Sequence, residues 1–141
     1  MRPTLLQVIT LGYAAGLVKL ILLADSGRLP AWAHRIYALP CGDDLAHLFL
    51  ALVLATLLGF MLAGRRLRYG RFSWPLGPAI SLLILAGEEF SQMLITTRVF
   101  SPQDLCATAA GSLLGAYLVD GLSRRRAVPA APCRPTSPQT H

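Results

Sequence analysis

Seven polar residues in this apolar chain fall at spacings that could support chemistry. Asp43 and His47 stand four apart, Glu89 and Gln92 three apart, and Arg98 and Asp104 six apart, with Thr108 four beyond Asp104. On a helix, positions three or four apart share a face. His47 or Glu89 could act as a general base, with Asp43 and Asp104 as further acids at the same centre. Gln92 and Thr108 offer hydrogen bonds to a bound molecule, and the planar fork of Arg98 suits a phosphate or carboxylate. A divalent metal held by Asp43, His47, Glu89 and Asp104 is compatible with this donor set. The chemistry does not require one, and no HExxH-type motif is present.

Each group also has an ordinary role. Asp43 or Asp44 can cap a helix, His47 can pack at an interface, Glu88 can reach a headgroup layer, and Arg98 can order a loop by pairing with Asp104. Glu89 is hardest to explain in this way. It lies about two turns inside an apolar run, where a carboxylate is costly without a partner or a wet cavity.

The elements that position these residues follow from composition. The 141 residues are 54% hydrophobic and 14% charged, with mean hydropathy +0.53. Soluble domains average about 25% charged residues. A membrane helix needs about 20 mostly apolar residues. Four such spans are expected at about 5–24, 45–63, 76–95 and 104–122. The first is too long for the apolar region of a signal peptide, about 7–15 residues. The fold class expected is therefore all-α, an integral membrane four-helix bundle with short loops. It comprises one membrane domain over 1–126 and a Pro-, Ala-, Ser- and Thr-rich disordered tail over 127–141. Trp32 and Tyr37 place a short interfacial segment between the first two spans. Lys19 either snorkels from the first span or balances the acids.

Orientation follows from the basic residues. Arg2, Arg65, Arg66, Arg68, Arg71, Arg124, Arg125, Arg126 and Arg134 fall on one side, against Arg28, Arg35 and Arg98 on the other. The positive-inside rule puts both termini in the cytoplasm. Asp43, Asp44, His47, Glu88, Glu89, Gln92 and Asp104 then form one layer at the outer face. The net charge of +6 is explained by these anchors, so no nucleic-acid partner is expected. Asp104, Thr108, Gly111 and Gly115 make one stripe on the last span, and Gly111-x-x-x-Gly115 is a close-packing spacing. Cys41, Cys106 and Cys133 fall in three different environments and suggest no disulfide framework.

The ordered combination of these motifs resembles the VanZ-like family of small bacterial membrane proteins. The matching features are Asp43 with His47, Glu89 with Gln92, Arg98 with Asp104, and the following glycines, covering about Asp43 to Tyr117. Asp44 stands where that family usually has Lys, making the layer more acidic. Thr108 stands where it usually has Asn, keeping a hydroxyl in place of an amide. The resemblance implies a multi-pass protein of the bacterial inner membrane linked to resistance to the lipoglycopeptide teicoplanin.

Two functions of different class follow. The chain binds or acts on a lipid-linked cell-envelope component at the outer leaflet, with membrane lipids as its surroundings. Alternatively, its polar residues only fix the helix packing and it acts as an accessory protein. A transporter would need a homodimer formed through the glycine stripe, because four spans are few.

Overall fold

A computed structural model describes residues 4–94 and 100–126. Arg2, Arg98 and the tail over 127–141 lie outside the described residues. The chain is mostly helical. Helix α1 (Leu5–Asp25) leads to a short α2 (Ala31–Tyr37) and then to α3 (Gly42–Met61). A hairpin of β1 (Arg66–Tyr69) and β2 (Phe72–Pro75) precedes α4 (Leu76–Ser91), a 3-10 turn (Gln92–Leu94) and α5 (Pro102–Arg126). Helices α1, α3 and α5 are long and apolar enough to cross a membrane.

Local signals explain most boundaries. Thr4 and Gln7 form a reciprocal capping box that starts α1: the Thr4 N–H donates to Gln7 Oε1 at 2.8 Å and the Gln7 N–H to Thr4 Oγ1 at 3.4 Å. The expected acidic cap on the second span is absent. Cys41, in a left-handed conformation, precedes Gly42, and no side chain caps the helix. Asp43 and Asp44 sit in the first turn instead, where the helix dipole favours acids. The last long helix opens earlier than Asp104. Ser101 Oγ accepts from the Asp104 N–H at 3.4 Å, and Pro102 takes the first helical position, where its missing N–H costs nothing. This helix also runs through the Ser-Arg-Arg-Arg segment to Arg126 rather than stopping near Leu122.

Two departures concern whole elements. The basic segment expected as a loop is an antiparallel hairpin with Tyr69 opposite Phe72. Gly70 takes its first turn position at φ 57°, as a primed hairpin turn requires. Arg66 fastens the hairpin to α5, its Nη1 donating to Asp120 Oδ1 at 2.6 Å and its Nε to Ser73 Oγ at 2.8 Å. The third expected span is shorter as an α-helix, 16 residues, or about 24 Å. The 3-10 turn after it adds about 6 Å.

The bundle is built on α3 and α5. Ala51, Ala55 and Gly59 face Gly111, Gly115 and Val119. A Cβ on Gly111 would overlap the Leu48 carbonyl oxygen, and one on Gly115 would press on Ala55. Glycine is needed there because the two backbones nearly touch. The stripe is therefore consumed within the chain, so a second copy would have to use another face. Helix α4 enters against the far end of α3 through Gly77 on Gly59. Helix α1 lies across α3, with Leu17 joining Ala51, Leu54 and Leu85 in the core and Tyr13 Oη donating to the Leu50 carbonyl at 3.0 Å.

The distribution of polarity is inverted. Among the largest fully buried side chains are Glu89, Thr10, Thr108, Ser81 and Ser112, while Leu5, Leu11, Leu22, Phe49, Leu83 and Tyr117 are exposed. Thr10 and Thr56 satisfy their hydroxyls on carbonyls four residues back. Ser81 and Ser112 Oγ have no hydrogen-bond partner among the described residues.

Replacing Gly111 by Val forces α3 and α5 apart. Overpacking of this kind costs about 1–3 kcal/mol, so detergent-solubilised Gly111→Val is expected to unfold several degrees below wild type. Gly87, also helical, has open space around its Cβ position. Gly87→Ala should be neutral or slightly stabilising. Equal melting of Gly111→Val and wild type would contradict the close approach.

Candidate functional site

Three helix ends deliver the site. The start of α3 brings Asp43 and His47, the end of α4 brings Glu88 and Glu89, and the start of α5 brings Asp104 and Thr108. Because α3 and α5 run antiparallel to α4, all of these residues meet at the end of the bundle opposite the hairpin.

His47 is at the centre. Its Nε2 lies 3.5 Å from Asp43 Oδ1 and its Nδ1 lies 3.9 Å from Glu89 Oε2. Exposure falls steadily inward. The Asp43 side chain is 53% exposed, His47 15% and Glu89 1%. Asp104 is buried beside them, and one ligand atom from each of Asp43, His47 and Asp104 lies within 4.8 Å of the others. Glu89 is outside that trio. It addresses the opposite ring nitrogen of His47, so the four-ligand set expected from sequence divides into three plus one.

Glu89 is held in place by donors. Gln92 Nε2 donates to Glu89 Oε2 at 3.2 Å, and the Ser101 backbone N–H donates to Glu89 Oε1 at 3.2 Å. Gln92 Nε2 also donates to Glu88 Oε1 at 3.0 Å. Gln92 is buried and here orients carboxylates rather than facing open space. Thr108 is buried too, and lines a cavity of about 40 Å³ with His47, Glu88, Tyr37 and the α1 residues Leu17, Leu20 and Ala24. That volume holds roughly three waters, at about 10–15 Å³ each.

The site therefore unites Asp43, His47, Glu89, Gln92, Asp104 and Thr108, as expected from spacing. Arg98, expected as an anion-holding group, lies outside the described residues. Three participants were missed or set aside. Glu88 bonds Gln92 and lines the cavity. Asp44, read as a cap, lies in the first turn of α3 and borders the start of α5 together with Pro102, Gln103 and Cys106. Ser101 supplies both a backbone donor to Glu89 and the cap of α5. The Ser-Pro pair at residues 101–102 was the available signal for the last. Lys19 is exposed and makes no ion pair among the described residues, so it does not balance these acids. Cys41 and Cys106 are free and exposed.

Truncating Glu89 would leave the Ser101 N–H without this acceptor and the Gln92 amide with Glu88 alone. Each such loss costs about 1–3 kcal/mol. Glu89→Ala is expected to lower the melting temperature clearly, and Glu89→Gln less, since an acceptor oxygen remains for Ser101. Thermal unfolding in detergent measures both, and an unchanged Glu89→Ala would show that these bonds contribute little.

No family model, curated protein or solved structure matches the chain.

Proposed function

We propose that this chain is a VanZ-like multi-pass protein of the bacterial inner membrane whose acid–histidine site binds the polar head of a lipid-linked cell-envelope component at the outer leaflet. The inverted polarity supports the membrane reading, since leucines and aromatics face outward while Glu89 and four hydroxyl residues are enclosed. Water would penalise that arrangement and lipid would favour it. Four spans are proposed. Helix α4 with its 3-10 turn reaches about 30 Å, the thickness of the hydrocarbon core.

The proposed orientation keeps both termini cytoplasmic. The hairpin end carries Arg65, Arg66, Arg68 and Arg71, and α5 ends there with three more arginines. The acid end is then external. A fluorescent protein fused after His141 should fluoresce, and an alkaline phosphatase fused there should be inactive. The reverse pattern would overturn this orientation.

The observation that carries the binding reading is the exposure gradient from Asp43 through His47 to Glu89. A head group arriving at Asp43 meets a histidine whose far nitrogen already faces a buried carboxylate. Such a histidine can donate to or take a proton from a bound group. The expected outcome is that a sensitive host expressing the wild type tolerates more teicoplanin than one expressing His47→Ala at equal membrane level. Equal tolerance at equal level would remove His47 from the activity.

One observation favours the non-catalytic reading. Both oxygens of Glu89 are engaged by Gln92 and Ser101, tying the end of α4 to the start of α5. On that reading, loss of tolerance in Glu89 variants tracks loss of folded protein. On the binding reading, His47→Ala stays folded and inactive.

A further inference from the structure

We propose that Asp43, His47 and Asp104 form a three-ligand site for one divalent transition metal ion, with Glu89 fixing the imidazole from behind. The proposal shares its residues with the binding site above but does not depend on the ligand or activity assigned there.

The donor set is the first argument. One imidazole and two carboxylates from two helices place a ligand atom each within 4.8 Å of one another. Zinc binds such nitrogen and oxygen donors at about 2.0–2.2 Å, which puts tetrahedral ligands about 3.4 Å apart. His47 Nε2 and Asp43 Oδ1 are already 3.5 Å apart. That separation is long for an N–H···O hydrogen bond and natural for two ligands of one ion. Bringing Asp104 to the same distance requires only a modest side-chain adjustment.

The second argument is the far side of the ring. Metal-bound histidines commonly donate their other N–H to a carboxylate, which fixes the tautomer and ring plane. Here Nδ1 faces Glu89 Oε2 at 3.9 Å, so a closure of about 1 Å forms that bond, and Glu89 is itself held by Gln92 and Ser101. A histidine placed only for packing has no need of carboxylates at both nitrogens.

The third argument is the state of Asp104. It is 6% exposed, and its carboxylate accepts no hydrogen bond from a backbone or side-chain donor among the described residues. What approaches it is another acid, Asp43, with a carboxylate oxygen within 4.8 Å. Two carboxyls so close repel unless a proton or a cation lies between them. Among the described residues His47 is the ion-pair partner of both Asp43 and Glu89, and Asp104 makes no ion pair. A divalent ion would add positive charge among these three acids.

Imidazole with carboxylates suits zinc or manganese better than calcium or magnesium. Three protein ligands leave a coordination position open. With Asp43 half-exposed, that position would open toward the surface, where a phosphoryl or carboxylate oxygen could bind the ion directly.

The test is metal binding by the purified full-length chain in detergent, stripped with chelator and titrated with zinc or manganese. About one equivalent per chain is expected. Asp104→Asn and His47→Gln should each weaken binding at least tenfold, and Glu89→Gln by about 10–100-fold through the histidine. Asp120→Asn, at the hairpin end, should bind like wild type. Folding is checked in the same samples, because metal should raise the melting temperature of wild type and Asp120→Asn but not of Asp104→Asn. Stoichiometry well below one, or equal binding by wild type and Asp104→Asn, would overturn the metal site. Loss of teicoplanin tolerance in His47→Ala with no metal bound by wild type would sink the metal site alone and leave the binding site standing.

Discussion

The approach of α3 to α5 sets everything else. Gly111 and Gly115 let the α5 backbone rest on Leu48, Ala51 and Ala55 with no side chain between. Because α5 is one continuous helix, that contact also fixes its start. Asp104 stands seven residues before Gly111, two turns along the same face, and is carried to the side of His47. On α3, His47 stands four residues before Ala51, one turn from the same contact. The seam and the site are thus one stripe read at two depths, with small residues where the backbones meet and polar residues where they end.

The polar end is stabilised differently from the seam. At the seam, dispersion between close surfaces suffices. At the end, Glu89 has left water, and its burial is offset by the two donors that reach it among the described residues. One donor is Gln92, in the 3-10 turn that continues the helix of Glu89. The other is the Ser101 backbone, which also caps α5. A single serine therefore links the last turn of α4 to the first turn of α5, and the same bonds that satisfy Glu89 hold it against the imidazole. Ser81 and Ser112, each eight residues from an acid along its own helix, continue a buried polar line toward the bundle centre.

Helix α1 has a lesser part. It brings no charge to the site and lies against α3 through Leu17 and the Tyr13 hydroxyl. Its wall of Leu17, Leu20 and Ala24 nevertheless closes the small cavity beside His47 and Glu88. An apolar wall strengthens the interactions it encloses, because it excludes competing water.

Much of this was legible in the chain itself. Apolar length alone marked four spans, three of which are helices long and apolar enough to cross a membrane, and the 3.6-residue period placed Asp43 with His47 and Asp104 with Gly111 on shared faces. Chain direction then required the starts of α3 and α5 and the end of α4 to lie at one level. These properties depend on local periodicity and on short connections, so the sequence determines them. Only the tertiary structure decided which nitrogen of His47 Asp43 and Glu89 each meet, that Glu89 stands behind the ring, and that Asp44 borders the start of α5 rather than capping a helix. It also decided the Arg66–Asp120 anchor and the hairpin it secures. Those relations join residues far apart in the chain, 54 positions for Arg66 and Asp120, and they depend on helix rotation about its axis. That rotation is set by where glycine allows two backbones to touch, and spacing along one strand of sequence does not contain it.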